Sequence, residues 1–173
     1  MHSWSLLGSC DSARFRTVAG SRERQLVGVG LQMTLPGVPM ICAGDEVGLE
    51  GGWAEDGRRT MPWGRTAGWD VALERGYQRL IALRHSCEAL RHGGLRIAHA
   101  DTDSIAYLRE TPAERILCVA SRDRHVPLAL SLETLGASDI DTLYGCDAQV
   151  GSGGAVLPAD GPCFHAWRLI DAG

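Results

Sequence analysis

Pro36-Gly37-Val38-Pro39-Met40-Ile41-Cys42-Ala43-Gly44-Asp45-Glu46-Val47-Gly48-Leu49 is the stretch on which the fold turns. Val38 to Ala43 is a short apolar run. A parallel strand buried on both faces reads this way, because it loses the in–out alternation of a half-buried one. Just upstream, Pro36-Gly37 stops a helix. That helix runs from Arg22 to Leu35, with Leu26, Val27, Leu31 and Met33 apolar and Ser21 placed to cap it. Gly28 and Gly30 lower its propensity and point to close packing there. Further back, Ser3 to Gly8 is another apolar run ending in glycine, followed by a polar, basic loop from Ser9 to Ser21. Strand, helix and strand in succession make a βαβ unit, whose crossover implies a parallel pair.

Downstream, Gly44 to Gly68 is a long loop rich in Gly, Trp, Asp, Glu and Arg. Loops of this length without elements of their own are usually functional or disordered, and the tryptophans argue against disorder. Asp70 is a plausible N-cap for a second helix reaching His92, with the apolar seam Leu73, Tyr77, Leu80, Leu83, Cys87 and Leu90 in steps of three and four. Gly93-Gly94 ends it. Beyond that point the pattern changes. Leu95–His99, Ser104–Arg109, Arg115–Ser121, Val126–Leu132, Asp139–Tyr144 and Phe164–Leu169 read as short strands separated by turn residues. Strands at this spacing suggest an antiparallel sandwich. A domain boundary is therefore expected near residue 93.

The chain has 173 residues, 45% apolar and 22% charged, as in a globular protein. A net charge of −4 gives nucleic-acid binding no electrostatic support. No apolar run approaches the ~20 residues of a membrane span, and the N-terminus lacks the basic region and apolar length of a signal peptide. Six scattered cysteines show neither a C-x-x-C pair nor zinc spacing, so reduced thiols in a cytoplasm are expected. His85, His92, His99, His125 and His165 have no metal spacing and read as surface or packing residues. No metal or cofactor requirement is readable.

Three constellations can carry chemistry. In Leu6-Leu7-Gly8-Ser9-Cys10-Asp11-Ser12-Ala13-Arg14-Phe15, Asp11 lies just past the end of a buried parallel strand, where barrel enzymes place catalytic groups. Arg14, three residues on, is placed to hold that carboxylate ionised. Read alone, Asp11 is a weak signal, and an aspartate stabilising a turn is the competing reading. Asp45-Glu46 offers paired carboxylates for acid/base work, but adjacent acids seldom face one site, and hydrogen bonds to loop amides are the competing reading. Asp56-Gly57-Arg58-Arg59-Thr60-Met61-Pro62-Trp63 joins arginine and tryptophan, which suit sugar hydroxyls and ring faces. A salt bridge from Arg58 or Arg59 to Asp45, Glu46 or Asp56 is the alternative, and both can hold together.

In this order the three resemble the alpha-amylase family, glycoside hydrolase family 13, above all its intracellular alpha-glucosidase, neopullulanase and maltodextrin-hydrolase branch. Ser9-Cys10-Asp11-Ser12-Ala13-Arg14 resembles the Asn/Ser-His-Asp motif of barrel strand seven. Gly37 through Glu46 resembles the Gly-x-Pro-x-x-Tyr-x-Gly-Asp-Glu motif of strand eight, and Asp56 through Trp63 the Met-Pro-Trp stretch that follows. Leu83-Arg84 through Leu90-Arg91 resembles the last barrel helix, and Leu157-Pro158-Ala159-Asp160-Gly161 with Trp167 the end of the C-terminal sandwich. The resemblance implies an α/β plus all-β chain: the last two βα units of a (β/α)8 TIM barrel over 1–93 and an antiparallel β-sandwich over 94–173. It implies a retaining alpha-glycosidase acting on maltodextrin-like oligosaccharides. Asp11 would stabilise the oxocarbenium-like transition state, with Cys10, Arg14, Arg58 and Trp63 near the substrate. The nucleophile and general acid of the family belong to strands four and five, upstream of everything matched here. The chain is therefore expected to be inactive by itself and to lean on the missing barrel portion or on another copy. A non-catalytic carbohydrate-binding or structural role is the alternative. Two positions depart from the pattern. Cys10 replaces a histidine that bonds the substrate, and a thiol is a poor donor by comparison. Cys42 replaces an aromatic residue, which bears more on packing. No histidine in the adjacent motif is positioned to activate Cys10 as a nucleophile.

Overall fold

The computed structural model of the chain describes residues 3–64, 68–152 and 154–171. They form two compact units: residues up to Met33 with Gly37–Ala82, and Thr34–Pro36 with the residues from Leu83 onward.

In the first unit, strands β1 (Trp4–Leu6) and β2 (Val38–Met40) pair in parallel, with Trp4 opposite Val38 and Leu6 opposite Met40. Between them lie helices α1 (Phe15–Ala19) and α2 (Arg22–Thr34). The βαβ unit is as expected, with corrections. The strands span three residues each, and neither is buried as expected: Trp4 is 69% exposed, Leu6 47% and Val38 44%. The expected loop over Ser9–Ser21 contains α1, a five-residue helix too short to show a period and closed by Gly20 in the left-handed region, φ 74°. The expected structureless loop after β2 holds two short 3-10 turns, Asp45–Val47 and Ala54–Arg58.

Ser21 Oγ caps α2 by accepting from the Arg24 amide at 3.2 Å. The buried face of α2 carries Val27, Val29 and Met33, but also Gln25 and Gln32. Gln32 Nε2 donates to Ser5 O at 2.8 Å and Met40 O at 2.9 Å, tying a carbonyl of each strand to the helix. Such a bond set lets a polar residue sit in a core, since a buried polar group without partners is costly. Gly28 has a packing reason: a Cβ there would overlap the Phe15 ring. Helix α3 (Val71–Ser86) starts on Asp70, whose Oδ1 accepts from the Leu73 amide at 3.1 Å. The single helix expected to reach His92 is broken. Cys87 adopts an extended conformation, φ −106° and ψ 117°, and α4 (Glu88–His92) restarts after it. Leu83, Cys87 and Leu90 are all buried, so the apolar period runs across the break and conceals it.

The second unit contains eight strands among its described residues: β3 (Gly94–Ala100), β4 (Ser104–Glu110), β5 (Arg115–Ser121), β6 (Leu128–Leu130), β7 (Ala137–Tyr144), β8 (Gln149–Gly151), β9 (Gly154–Leu157) and β10 (Cys163–Asp171). They form a five-stranded sheet, β3-β4-β5-β10-β7, and a three-stranded sheet, β6-β9-β8, antiparallel throughout. One core draws on both sheets, with Leu108, Leu117, Val119, Trp167 and Leu169 from the larger and Leu128, Ala155 and Leu157 from the smaller. Trp167 is fully buried, and its indole N–H donates to Cys146 O at 3.1 Å. Strands β8 and β9 were not expected; their short, glycine-bordered segments show no alternation. All six cysteines are free. Cys118 sits in the core, and burial pushes its thiol up to about 12, so it serves as a small hydrophobe.

His165 on β10 is buried beside Gly145, whose φ of +90° suits glycine and where a Cβ would collide with the imidazole. Its Nδ1 accepts the Cys146 amide at 3.0 Å, so the ring must stay neutral at that nitrogen. Burial lowers its pKa below the ordinary 6.5. A depressed base contributes stability that is full above the unfolded pKa and is lost as pH falls through the folded one. Thermal melts of the chain should therefore drop in midpoint as pH is lowered below about 6.5, more than those of a His165→Gln variant. Equal slopes for the two proteins would show that this ring is not responsible.

Candidate active site

Asp11 leaves the C-terminal end of β1 on a turn built by its own neighbours. The Ser9 amide donates to Ser12 Oγ at 2.9 Å, and the Asp11 amide to Ser9 Oγ at 3.3 Å. This points the Asp11 carboxylate outward, with its side chain 75% exposed. The cation beside it is Arg58, from the second 3-10 turn. Arg58 Nη2 donates to Asp11 Oδ1 at 3.1 Å, Nε to Cys10 O at 3.0 Å and Nη1 to Glu55 Oε1 at 3.0 Å. One guanidinium fork thus fixes the carboxylate and the backbone next to it, geometry that lysine cannot reproduce. Gly57 makes the approach possible: a Cβ there would lie 2.6 Å from Ser12 O and 2.9 Å from Gly52 O.

Arg14 does not hold Asp11; it turns inward. It is buried, and its Nη1 donates to Ala43 O at 2.8 Å, to Cys42 Sγ at 3.3 Å and to Asp45 Oδ1 at 3.4 Å, while Nη2 donates to Arg59 O at 3.2 Å. Its Nε has no partner. Asp45 is buried too, and burial raises its pKa against the opposing pull of Arg14. Burial likewise raises the Cys42 thiol, again against Arg14. Glu46 takes the loop-amide reading, accepting from Gly44 N at 2.8 Å. Asp45 and Glu46 therefore do not form an outward-facing acid/base pair.

Arg59 pairs with Asp56 at 2.6 Å, as the ion-pair reading of that stretch expected. Cys10 is exposed. Trp63 is 75% exposed, and its ring meets Trp69 edge-on, with centroids 6.4 Å apart. A large, flat, exposed aromatic held by a neighbouring ring is the kind of surface on which a sugar ring stacks. Nearby, Arg16 and Arg22 both reach Asp70, at 3.3 and 3.1 Å. Arg16 and Asp70, with Glu50 and Pro62, line a hollow of about 370 Å³. Of the five residues singled out in the sequence, the structure brings Cys10, Asp11 and Arg58 together and sets Arg14 behind them. What sequence reasoning missed is the long-range pairing. Arg58 lies 47 residues from Asp11, and no local period announces it.

Elsewhere, in the second unit, His99, Asp101 and His125 place their side-chain ligand atoms within 4.8 Å of one another. Their spacing of 2 and 24 residues fits no metal-binding pattern in the sequence, and only the pairing of β3, β4 and β5 assembles them.

No protein-family model matches the chain. A cyclomaltodextrinase of Bacillus sp is 40% identical over 124 residues, which cover 70% of this chain and 22% of that protein. A solved cyclomaltodextrinase structure, 33% identical, superposes with a TM-score of 0.84 over 96% of this chain and 29% of its own. The acarbose complex of the alpha-amylase from Geobacillus thermoleovorans reaches a TM-score of 0.87 over 98% of this chain and 39% of its own, at 19% identity, a likeness of fold. The chain spans about a fifth of the length of the curated relatives it matches first.

Proposed function

This chain belongs to the alpha-amylase family, glycoside hydrolase family 13, and on that premise we infer that it supplies part of the active site of a retaining alpha-glycosidase acting on maltodextrin-like oligosaccharides. The observation that carries the reading is the exposed Asp11 carboxylate at the C-terminal end of a parallel strand, clamped by Arg58. That end of a strand is where barrel enzymes gather their chemistry. A fixed carboxylate there stabilises positive charge as it develops on the sugar ring, and does so without reorganising at the moment of reaction. Arg58 positions it. Trp63 offers a stacking face, and Arg14 works from behind by holding the strand-eight loop through Ala43 and Asp45.

Retaining hydrolysis needs a nucleophile and a general acid about 5 Å apart. The family resemblance assigns both to strands outside the motifs matched in this chain. We place the boundary between the barrel part and the antiparallel part near residue 93, ahead of β3. A second reading, a non-catalytic carbohydrate-binding module, draws on Cys10, which offers a thiol where the family pattern has an imidazole.

The test is reducing-sugar release from maltotriose by the chain with and without a family polypeptide carrying the upstream barrel strands, beside Asp11→Asn. The reading predicts release only from the combination, reduced by about a hundredfold or more in the variant, as for loss of one transition-state-stabilising group. Binding of maltotriose without release in any combination would favour the second reading and sink the first.

A further inference from the structure

His99 is the penultimate residue of β3, Asp101 opens the turn into β4, and His125 lies in the loop after β5. Asp101 Oδ1 accepts the amides of Asp103 at 3.0 Å and Ser104 at 2.9 Å, which fixes the carboxylate. Its other oxygen, Oδ2, faces two imidazoles, His99 Nε2 at 2.8 Å and His125 Nε2 at 2.7 Å. His125 Nδ1 lies 2.6 Å from Val126 O. A carbonyl only accepts, so that ring nitrogen carries the proton, which leaves Nε2 as the nitrogen whose lone pair faces the carboxylate. Two acceptors at such a distance require a cation between them, either a proton or a metal. An Nδ1–H···O=C bond of this kind is also what commonly orients a metal-bound histidine. The frame beneath is rigid. Ser104 and Ser121 face each other across β4 and β5 with their hydroxyls 2.9 Å apart, and the Arg122 amide donates to Asp103 O at 2.9 Å.

We propose that His99, Asp101 and His125 form a binding site for a zinc-class divalent transition metal, two imidazoles and one carboxylate with a fourth position open to water. The donor set suits zinc, which takes nitrogen at about 2.0–2.1 Å and carboxylate oxygen at about 2.0–2.2 Å. In a tetrahedron those lengths set ligand atoms about 3.3 Å apart. Each ring nitrogen therefore withdraws from Asp101 by about half an ångström, and the two rings, whose ligand atoms lie within 4.8 Å of each other, swing together to about that same separation, side-chain rotations at sites that are half exposed. The ion pins the β3–β4 turn to the loop after β5. The site lies wholly in the second unit and does not depend on the glycosidase reading.

Zinc chloride titrated into the reduced full chain, followed by calorimetry, should show one saturable site, and added zinc should raise the melting temperature. His99→Gln and His125→Gln should each weaken binding by at least about tenfold. Asp101→Asn should weaken it too, while the amide oxygen keeps the two backbone bonds of the turn. Cobalt in place of zinc should give visible bands without a sulfur-to-cobalt charge-transfer band. Absence of saturable binding, unchanged affinity in a folded His99→Gln/His125→Gln double variant, or a strong sulfur band assigning the ion to cysteines would each overturn the proposal.

Discussion

Arg14→Met is expected to destabilise the first unit by about 3–5 kcal/mol, the usual result of removing one partner from a buried ion pair. Methionine preserves most of the side chain's apolar length and removes every donor. Asp45 Oδ1 then loses its cation, and Ala43 O and Arg59 O lose their donors. Asp45 is already raised by burial with Arg14 present. Without Arg14 it rises further and takes up a proton, which limits the loss. An acid raised on folding contributes stability that is full below its unfolded pKa and is lost as pH rises through its folded pKa. The deficit of Arg14→Met should therefore be larger at about pH 8 than at about pH 5. Asp45→Asn added to Arg14→Met should restore part of it, because the amide carries no charge to bury. Denaturant melts of the three proteins at both pH values decide the matter. A deficit under about 1 kcal/mol, independent of pH, would mean that water reaches the pair and screens it.

Arg109→Met should cost the second unit about 3 kcal/mol or more, for a different reason. Arg109 is buried and has carbonyls as its partners, not a carboxylate. Nη1 donates to Leu90 O at 3.1 Å and to Thr34 O, Nη2 to Gly93 O at 2.7 Å, and Nε to Gly94 O at 3.2 Å. Three of these carbonyls belong to the end of α4 and the residues after it, where helix carbonyls lack partners of their own and carry the negative end of the helix dipole. Burial, and then the neighbouring Arg84, lowers the Arg109 pKa. Each buried acceptor left without a donor costs about 1–3 kcal/mol. Arg109→Lys should recover less than half of the loss, since one ammonium has three donors on a single atom and cannot span four separated carbonyls. If Arg109→Met melts within about 1 kcal/mol of the native chain, the helix end is held by packing instead.

The fold was legible wherever apolar residues keep a period or a turn residue interrupts one. Ser21 and Asp70 announce the helix starts that they cap, and Pro36-Gly37 announces the stop before β2. The break at Cys87 was hidden because Leu83, Cys87 and Leu90 stay in phase across it. Gln25 and Gln32 were invisible as core residues, since only carbonyls met in three dimensions, Asp45 O for the Gln25 amide at 2.8 Å and Ser5 O and Met40 O for that of Gln32, make their burial tolerable. The same limit governs the candidate site. Position marked Asp11, at the exit of a strand. Its partner Arg58 and the pairing of Arg14 with Asp45 depend on loops meeting over 47 and 31 residues, and a local reading placed Arg14 beside the wrong carboxylate.

The distribution of the tryptophans has a practical side. In the first unit Trp4, Trp53 and Trp63 stand in solvent and Trp69 is half-buried, its indole nitrogen covered, whereas Trp167 is sealed in the core of the second. An indole already in water emits nearly as it does in an unfolded chain, and one in an apolar core shifts to longer wavelength when released. The intrinsic fluorescence of this chain thus reports the second unit through Trp167, and the first through Trp69 alone among its four tryptophans. Melting of the antiparallel sheets will be seen as a red shift from Trp167, while melting of the parallel strands and their helices gives a smaller shift from Trp69 and is followed better through far-ultraviolet dichroism.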